Sequence, residues 1–322
     1  MTQEPKGPAG PPPIGVVYNT SMARPDAALA LSALHVSASR RASRMGAVCV
    51  TGAGLDTAIF CDIVSRFYTA GPAGRPPSSN NVLPVGLPAV SPMPPDPPMV
   101  EAAVRRKQAN GDPQYIRTIQ KISDTSLPEA LLRNGMTFNA ESVVVLSAAA
   151  TSMARALELA SASPEYKQRV KRFVIVEAGV AGQDAAALRK VLSASLAPLV
   201  FCGRDVGEAL VVPGAEIDKA FDWAPANPVA DAYRAFKPMP YDAPAHDLAA
   251  VHYALQPGSG FFTLSEPGTL AVADDGSVKF TTGAGNVRRI TVDPAKKTEC
   301  LAALVALATA KPTPPQGRGG GS

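Results

Sequence analysis

Apolar residues fall into two alternating rhythms along this chain. Short runs at Ile14–Tyr18, Gly46–Thr51, Ser142–Leu146, Arg172–Val176 and Pro198–Cys202 read as buried strands. Between them, apolar positions recur at helical spacing over Pro25–Ser39, Leu55–Tyr68, Thr151–Ser161 and Asp184–Ser193. Pro25 suits a first helical turn, and Asp26 suits the positive end of a helix. Strands alternating with helices in this way imply right-handed crossovers and an α/β fold, with a mostly parallel central sheet flanked by helices. Val82–Leu87 predicts one more short strand. Pro88–Asp112 reads as a long surface excursion, proline-dense at first and helix-prone at Met99–Gln108, and Leu127–Leu132 predicts a further helix.

From Glu208 onward the pattern loosens. Helices are expected at Glu216–Phe221, Pro228–Phe236 and His246–Leu255, then short strands at Gly268–Val272, Val278–Thr281 and Arg288–Val292. The first two of these strands meet at Asp274-Asp275-Gly276, a strong hairpin signal. A closing helix follows at Lys296–Leu307. The fold therefore carries a small β-hairpin and a helix near its C-terminus. Residues 1–13 and 311–322 are rich in proline and glycine and read as a disordered lead-in and a flexible tail, leaving 14–310 as a single domain.

Composition narrows the function classes. With 322 residues and 46% hydrophobic content, the chain can bury a large core. A net charge of +4, with no basic cluster interleaved with aromatics, gives no footprint for nucleic acid. The group Arg40-Arg41-Ala42-Ser43-Arg44 reads as a solvated helix end. Cys49, Cys61, Cys202 and Cys300 show no metal-ligating spacing and read as reduced, mostly buried thiols. No apolar run is long enough to span a bilayer, and the first residues lack a signal-peptide core. A soluble, cytoplasmic protein without a membrane partner is expected.

The chemistry-bearing stretch is the loop after the first strand, Asn19-Thr20-Ser21-Met22-Ala23-Arg24-Pro25-Asp26-Ala27-Ala28, followed by an apolar helix. In an open α/β sheet that loop lies where ligands bind. It resembles the signature loop of the inosine–uridine-preferring nucleoside hydrolase family, which runs Asp-x-Asp-x-Gly-x-(x-x)-Asp-Asp-Ala. Leu146-Ser-Ala-Ala-Ala-Thr151-Ser-Met-Ala-Arg155 is similar to a second family segment, and Val176-Glu-Ala-Gly179 stands where relatives carry Met-Gly-Gly. Pro244-Ala-His246-Asp247-Leu248 resembles the family's late His-Asp helix start. The likeness is spread from about Ile14 to Ala310.

The resemblance implies cleavage of an N-ribosidic bond through an oxocarbenium-like sugar, using a calcium-bound water and carboxylates that grip the ribose. It places Ser21 at the general-base and metal position, Ala27 at a second metal carboxylate and Asn19 at a further loop aspartate. Asp26 falls on the ribose-gripping position, Asp247 on the late metal carboxylate, His246 beside it, and Thr151 on a residue whose carbonyl ligates calcium. One carboxylate remains between Tyr18 and Leu31, so no shift of register restores the missing acids. Gly52-Ala-Gly54 replaces an Asn-bearing loop, and Val180-Ala-Gly-Gln183-Asp184 shortens a segment that lines the sugar pocket.

A serine hydroxyl has no basicity near neutral pH, so Ser21 cannot replace the base. The expected function is a nucleoside hydrolase-like protein, inactive or very weak, that keeps the scaffold to bind a nucleoside or ribose-like small molecule. His246 and Ser21 are then catalytic vestiges, Asp247 and Thr151 are vestigial calcium positions, and no cofactor is expected. Homo-oligomers are common among relatives, and one is expected here. Two other readings stay open. One is an active ribonucleoside hydrolase with an altered site. The other is a dinucleotide-binding oxidoreductase, suggested by the strand, Gly-x-Gly and helix at Val48–Ala58. Asp26 and Asp247 also suit simple helix starts.

Overall fold

A computed structural model describes residues 13–70, 83–160 and 164–313. The expected lead-in and tail lie almost wholly outside these residues, as do Val82 and Ser161. The first half alternates β1 (Ile14–Thr20), α1 (Pro25–Ser39), β2 (Ser43–Val50), α2 (Leu55–Ala70), β3 (Val85–Gly86), α3 (Pro98–Arg105) and α4 (Pro128–Phe138). It continues with β4 (Ser142–Ser147), α5 (Thr151–Ala160), α6 (Pro164–Arg169), β5 (Val170–Val176), α7 (Glu177–Val180), α8 (Ala185–Ala194) and β6 (Leu199–Cys202). The second half comprises α9 (Arg204–Ala209), β7 (Val211–Val212), α10 (Gly214–Ala220), α11 (Pro228–Phe236), β8 (Ala243–Pro244) and α12 (His246–Leu255). Last come β9 (Phe262–Leu264), β10 (Gly268–Val272), β11 (Val278–Thr282), β12 (Val287–Val292) and α13 (Lys297–Thr309).

Among the described residues the main sheet runs β11–β10–β12–β6–β5–β4–β1–β2–β3, with β9 on β12. Every pairing from β3 to β12 is parallel, whereas β9 and β10 join β12 antiparallel and β11 joins β10 antiparallel. The expected hairpin is this last pair, with Gly276 at a φ of 78° in its turn. Helices cover both faces. Residues of α1, α2, α11, α12 and α13 share one core, and those of α4, α5 and α8 share the other. This double cover explains why β4 is buried along its whole length and apolar at its four inner positions.

Helix α1 is buried from Pro25 through Ser37 and packs against α2, α11, α12 and α13, so its apolar character all round is what its place requires. Helix α4 runs on through Arg133-Asn134-Gly135, beyond the expected stop at Leu132. Gly135 is retained there because a Cβ would lie 2.9 Å from Val17 and 3.0 Å from Ala47 in the strands beneath. The excursion and the segment after it are held by acids of the neighbouring helices, of which Asp62 is buried. Asp62 on α2 accepts the amides of Thr118 at 2.5 Å and Ile119 at 3.1 Å, and Asp231 on α11 pairs with Arg106 and the Tyr115 hydroxyl. At the far end of the chain, the Trp223 indole donates to the carbonyl of Thr309, the last residue of α13, at 2.8 Å.

His35 of α1 lies buried with its ring stacked on Tyr68 at 6.0 Å, and its Nε2 has no hydrogen-bond partner. Burial lowers its pKa to about 4 from an ordinary 6.5. A depressed histidine pKa leaves stability intact above the unfolded value and removes it as pH falls toward the folded one. Between pH 6.5 and 4 this one group should cost roughly 3 kcal/mol. Urea unfolding of His35→Phe should show a flatter acid limb than wild type. Parallel pH profiles would refute the assignment.

Candidate functional site

In strand order, β1 sits between β4 and β2, and the chain leaves it first toward β2 and only later toward β4. The crevice between the carboxyl ends of β1 and β4 is thus the topological switch point of the sheet, where open α/β folds bind ligands. The loop after β1 enters that crevice. Thr20 accepts the Met22 amide on its hydroxyl at 3.1 Å, and Met22 adopts a φ of 51° with its side chain fully buried. For a non-glycine residue that left-handed turn is uncommon. It reverses the loop before Arg24, which is extended ahead of Pro25 as a residue preceding proline must be.

Arg24 then reaches back across the strand ends. Its guanidinium donates to the Ala178 carbonyl at 2.8 Å and the Ser147 hydroxyl at 2.9 Å, and pairs closely with Asp247 Oδ1. Its Nε stands 3.7 Å from Asp26 Oδ1. Asp247, fully buried, also accepts from Ser147 at 2.6 Å and from the Tyr18 hydroxyl at 2.6 Å. Four elements of the fold therefore converge on one carboxylate: the loop after β1, β1 itself, the end of β4, and the start of α12.

Asp26 does different work. Its Oδ2 accepts the amides of Asp247 at 2.5 Å and Leu248 at 3.3 Å, in the first turn of α12. The residue before α12 is Ala245, which has no side-chain acceptor, so Asp26 caps that helix from far away in sequence. The positive helix end favours an acid there. Burial, and next the charge of Asp247, nevertheless push the Asp26 carboxyl up to about 7. Burial works against the charge of Arg24 too, but Asp247 and then Asp26 outweigh it and hold its pKa above the ordinary value. Burial and then Asp247 likewise raise Tyr18.

The other residues singled out in the sequence are placed as follows. Ser21 is half-buried at the start of the loop, and Ala27 lies in the apolar core at 1% exposure. His246 opens α12 with its Nδ1 unpartnered, against Gly207, where a Cβ would come within 2.1 Å of it. Burial and then Arg24 lower its pKa, which leaves the imidazole neutral near pH 7. Thr151 turns its hydroxyl to Asp184 at 3.0 Å, and Asp184 in turn caps α8 through the Ala187 amide. Asn19 accepts from Thr51 at 2.9 Å. Asp26, Asp247 and His246 are brought together, and Thr151 joins α5 to α8. The Gly52-Ala53-Gly54 turn offers no seat for a dinucleotide phosphate, because Asp96 from the excursion takes the α2 amides of Asp56 at 3.1 Å and Thr57 at 2.8 Å.

Tyr18, Ser147 and above all Arg24 escaped the sequence reading. The signal for Arg24 was available: it is the one cation between Ile14 and Ser39, and the two acids expected nearby needed a counter-charge. Calcium does not fit this arrangement. It takes six to eight oxygens, several from carboxylates, whereas both oxygens of Asp247 are already engaged and a guanidinium occupies the space between the acids. Among the described residues, no group of three or more His, Cys, Asp or Glu is placed to hold a metal, and no helix is long and apolar enough to cross a membrane.

No family model matches the sequence, and no curated protein matches it either. Solved structures do. A plant nucleoside hydrolase superposes with a TM-score of 0.63 at 17% identity, covering 93% of this chain and 100% of that one. The inosine–uridine-preferring nucleoside hydrolase of Bacillus anthracis gives 0.62 at 12% identity, over 91% of this chain and 99% of its own. The type III effector protein XopQ, solved in complex with adenosine diphosphate ribose, gives 0.60 at 13% identity, over 93% and 94%. At these identities the likeness is one of fold, and the chain has a nucleoside-hydrolase-like fold.

Proposed function

We propose that this chain keeps the nucleoside-hydrolase scaffold for binding a ribose-containing small molecule and does not hydrolyse it. One observation carries the reading: both acids at the switch point are engaged within the protein, Asp26 through Oδ2 with the α12 amides and through Oδ1 in an ion pair 3.7 Å from Arg24, and Asp247 through both oxygens with Tyr18, Ser147 and Arg24. Breaking an N-ribosidic bond by water needs a base to deprotonate that water and negative charge to steady a cationic sugar. Here Asp247 and the Oδ2 of Asp26 face donors of their own, and the fixed positive charge of Arg24 beside both acids opposes the charge of a cationic sugar. Arg24 still exposes 21% of its side chain to solvent, which suits contact with hydroxyl or anionic oxygens of a ligand. The effector solved with adenosine diphosphate ribose supports that ligand class.

A reducing-sugar assay on inosine, uridine and adenosine should give no ribose release above background, with or without calcium. Thermal shift with ribose, the same nucleosides and adenosine diphosphate ribose should show stabilisation by at least one of them. Robust turnover would sink the non-hydrolysing part, and a flat response to every ligand would sink the binding part. A weak hydrolase using the neutral His246 as base is the second reading, favoured by its unpartnered Nδ1. It predicts slow turnover that disappears in His246→Ala.

A further inference from the structure

The surroundings of Arg24 have the composition of a cation site. A main-chain carbonyl (Ala178), a hydroxyl (Ser147) and two buried carboxylates (Asp247 and Asp26) point their oxygens at one group. Carbonyl, hydroxyl and carboxylate oxygens are what a hard cation selects. The frame that holds them does not depend on Arg24. Ser147 ends a central strand, Asp247 stands in the first turn of α12, and Ala178 is set by Gly179, whose Cα lies so close to Ser147 that a Cβ would be 2.3 Å from its carbonyl carbon. Asp247 is further fixed by Tyr18 from β1.

We infer that this cage is a cation-binding site whose resident is the side chain of Arg24, and that removing the side chain opens it to a free guanidinium ion. The guanidinium is tethered by the chain itself, so the fold carries its own counter-ion and needs no metal at the switch point. A planar group with N–H donors along two edges satisfies the Ala178 carbonyl, Ser147 and Asp247 together, which a spherical ion without donors does differently. The inference deepens the proposal that Asp26 and Asp247 have left catalysis. It can fail separately from it, because its readout is stability and not turnover.

The test is thermal unfolding of wild type, Arg24→Ala and the double variant Arg24→Ala/Asp247→Ala at constant ionic strength. Millimolar guanidinium chloride, tetramethylammonium chloride and calcium chloride are added in turn, with a chelator arm. Wild type should ignore calcium and chelator and be slightly lowered by guanidinium, as any protein is by a denaturant. Arg24→Ala should melt lower than wild type and be raised by guanidinium, with the logarithmic concentration dependence of a bound ligand. Tetramethylammonium, which cannot donate, should not raise it, and the double variant should not respond to guanidinium. The sign reversal between wild type and Arg24→Ala under the same salt is the decisive feature. If Arg24→Ala does not fold unaided, the refolded fraction with and without guanidinium reads the same contrast. Arg24→Ala as stable as wild type, no gain from guanidinium, an equal gain in the double variant, or stabilisation of wild type by micromolar calcium would each overturn the inference.

Discussion

Asp247→Ala is expected to lower folding stability by about 3–5 kcal/mol, the cost of breaking a buried ion pair by deleting one partner. The substitution strips the acceptor from three donors at once. The Tyr18 hydroxyl and Ser147 are fully or almost fully buried and cannot turn to water for replacement bonds. Arg24 is partly exposed and recovers some hydration, which draws the expected loss toward the lower end of that range. Asp247→Asn keeps the shape and one acceptor oxygen, so it should lose less than Asp247→Ala and more than a surface substitution. Urea denaturation at pH 7 measures both. A loss under about 1 kcal/mol for Asp247→Ala, the range of a surface pair, would mean that the four-way convergence is not formed in solution.

Gly179→Ala should also be costly, for a steric reason. The added methyl would lie 2.3 Å from the Ser147 carbonyl carbon and 2.4 Å from its oxygen, and backbone cannot give way as a flexible side chain can. Overpacking of this kind costs about 1–3 kcal/mol and sometimes more. Here the shift also carries the Ala178 carbonyl away from Arg24. Gly258→Ala is the control, because a Cβ there meets nothing within 4 Å. The two variants compared by thermal or urea unfolding should differ clearly. Equal stability would show that the turn after β5 stands farther from β4 than these distances require.

Much of this architecture was legible because it rests on long, strongly patterned segments. The strands at Ile14, Ser142 and Pro198, the helices at Pro25 and Leu55, and the turn at Asp274-Asp275-Gly276 each carry their own signal, and the fold realises all of them. The elements missed are short. Glu177–Val180 is a single helical turn, Phe262–Leu264 a strand of three residues, and Val211–Val212 pairs with Ala243–Pro244 over two. None is long enough to show a period.

The site's long-range contacts were not legible in the sequence. The resemblance assigns Ser21 and Ala27 to positions where the family carries acids, and one carboxylate between Tyr18 and Leu31 is all that the residues themselves show. That Asp26 caps a helix 221 residues away, or that Arg24 closes on Asp247 across 223, depends on a sheet bringing those ends together. No local pattern encodes a partner at such separation. A lone arginine in a loop reads as solvated until the buried acids that face it are located.

The tryptophan that bonds to the last helix gives the protein an optical handle on one part of itself. Trp223 is the chain's single tryptophan, and its indole bonds to the end of α13 while its ring lies against Phe67 at 6.0 Å and Tyr68 at 6.3 Å. Its emission therefore belongs to the seam where the last helix packs on α1 and Trp223 meets α2. It does not belong to the switch point or to the sheet as a whole. A red shift that precedes the loss of far-ultraviolet ellipticity would mark the closing helix peeling away while the sheet stays intact. Intrinsic fluorescence and circular dichroism, recorded together, thus resolve the detachment of the C-terminal segment from the melting of the core.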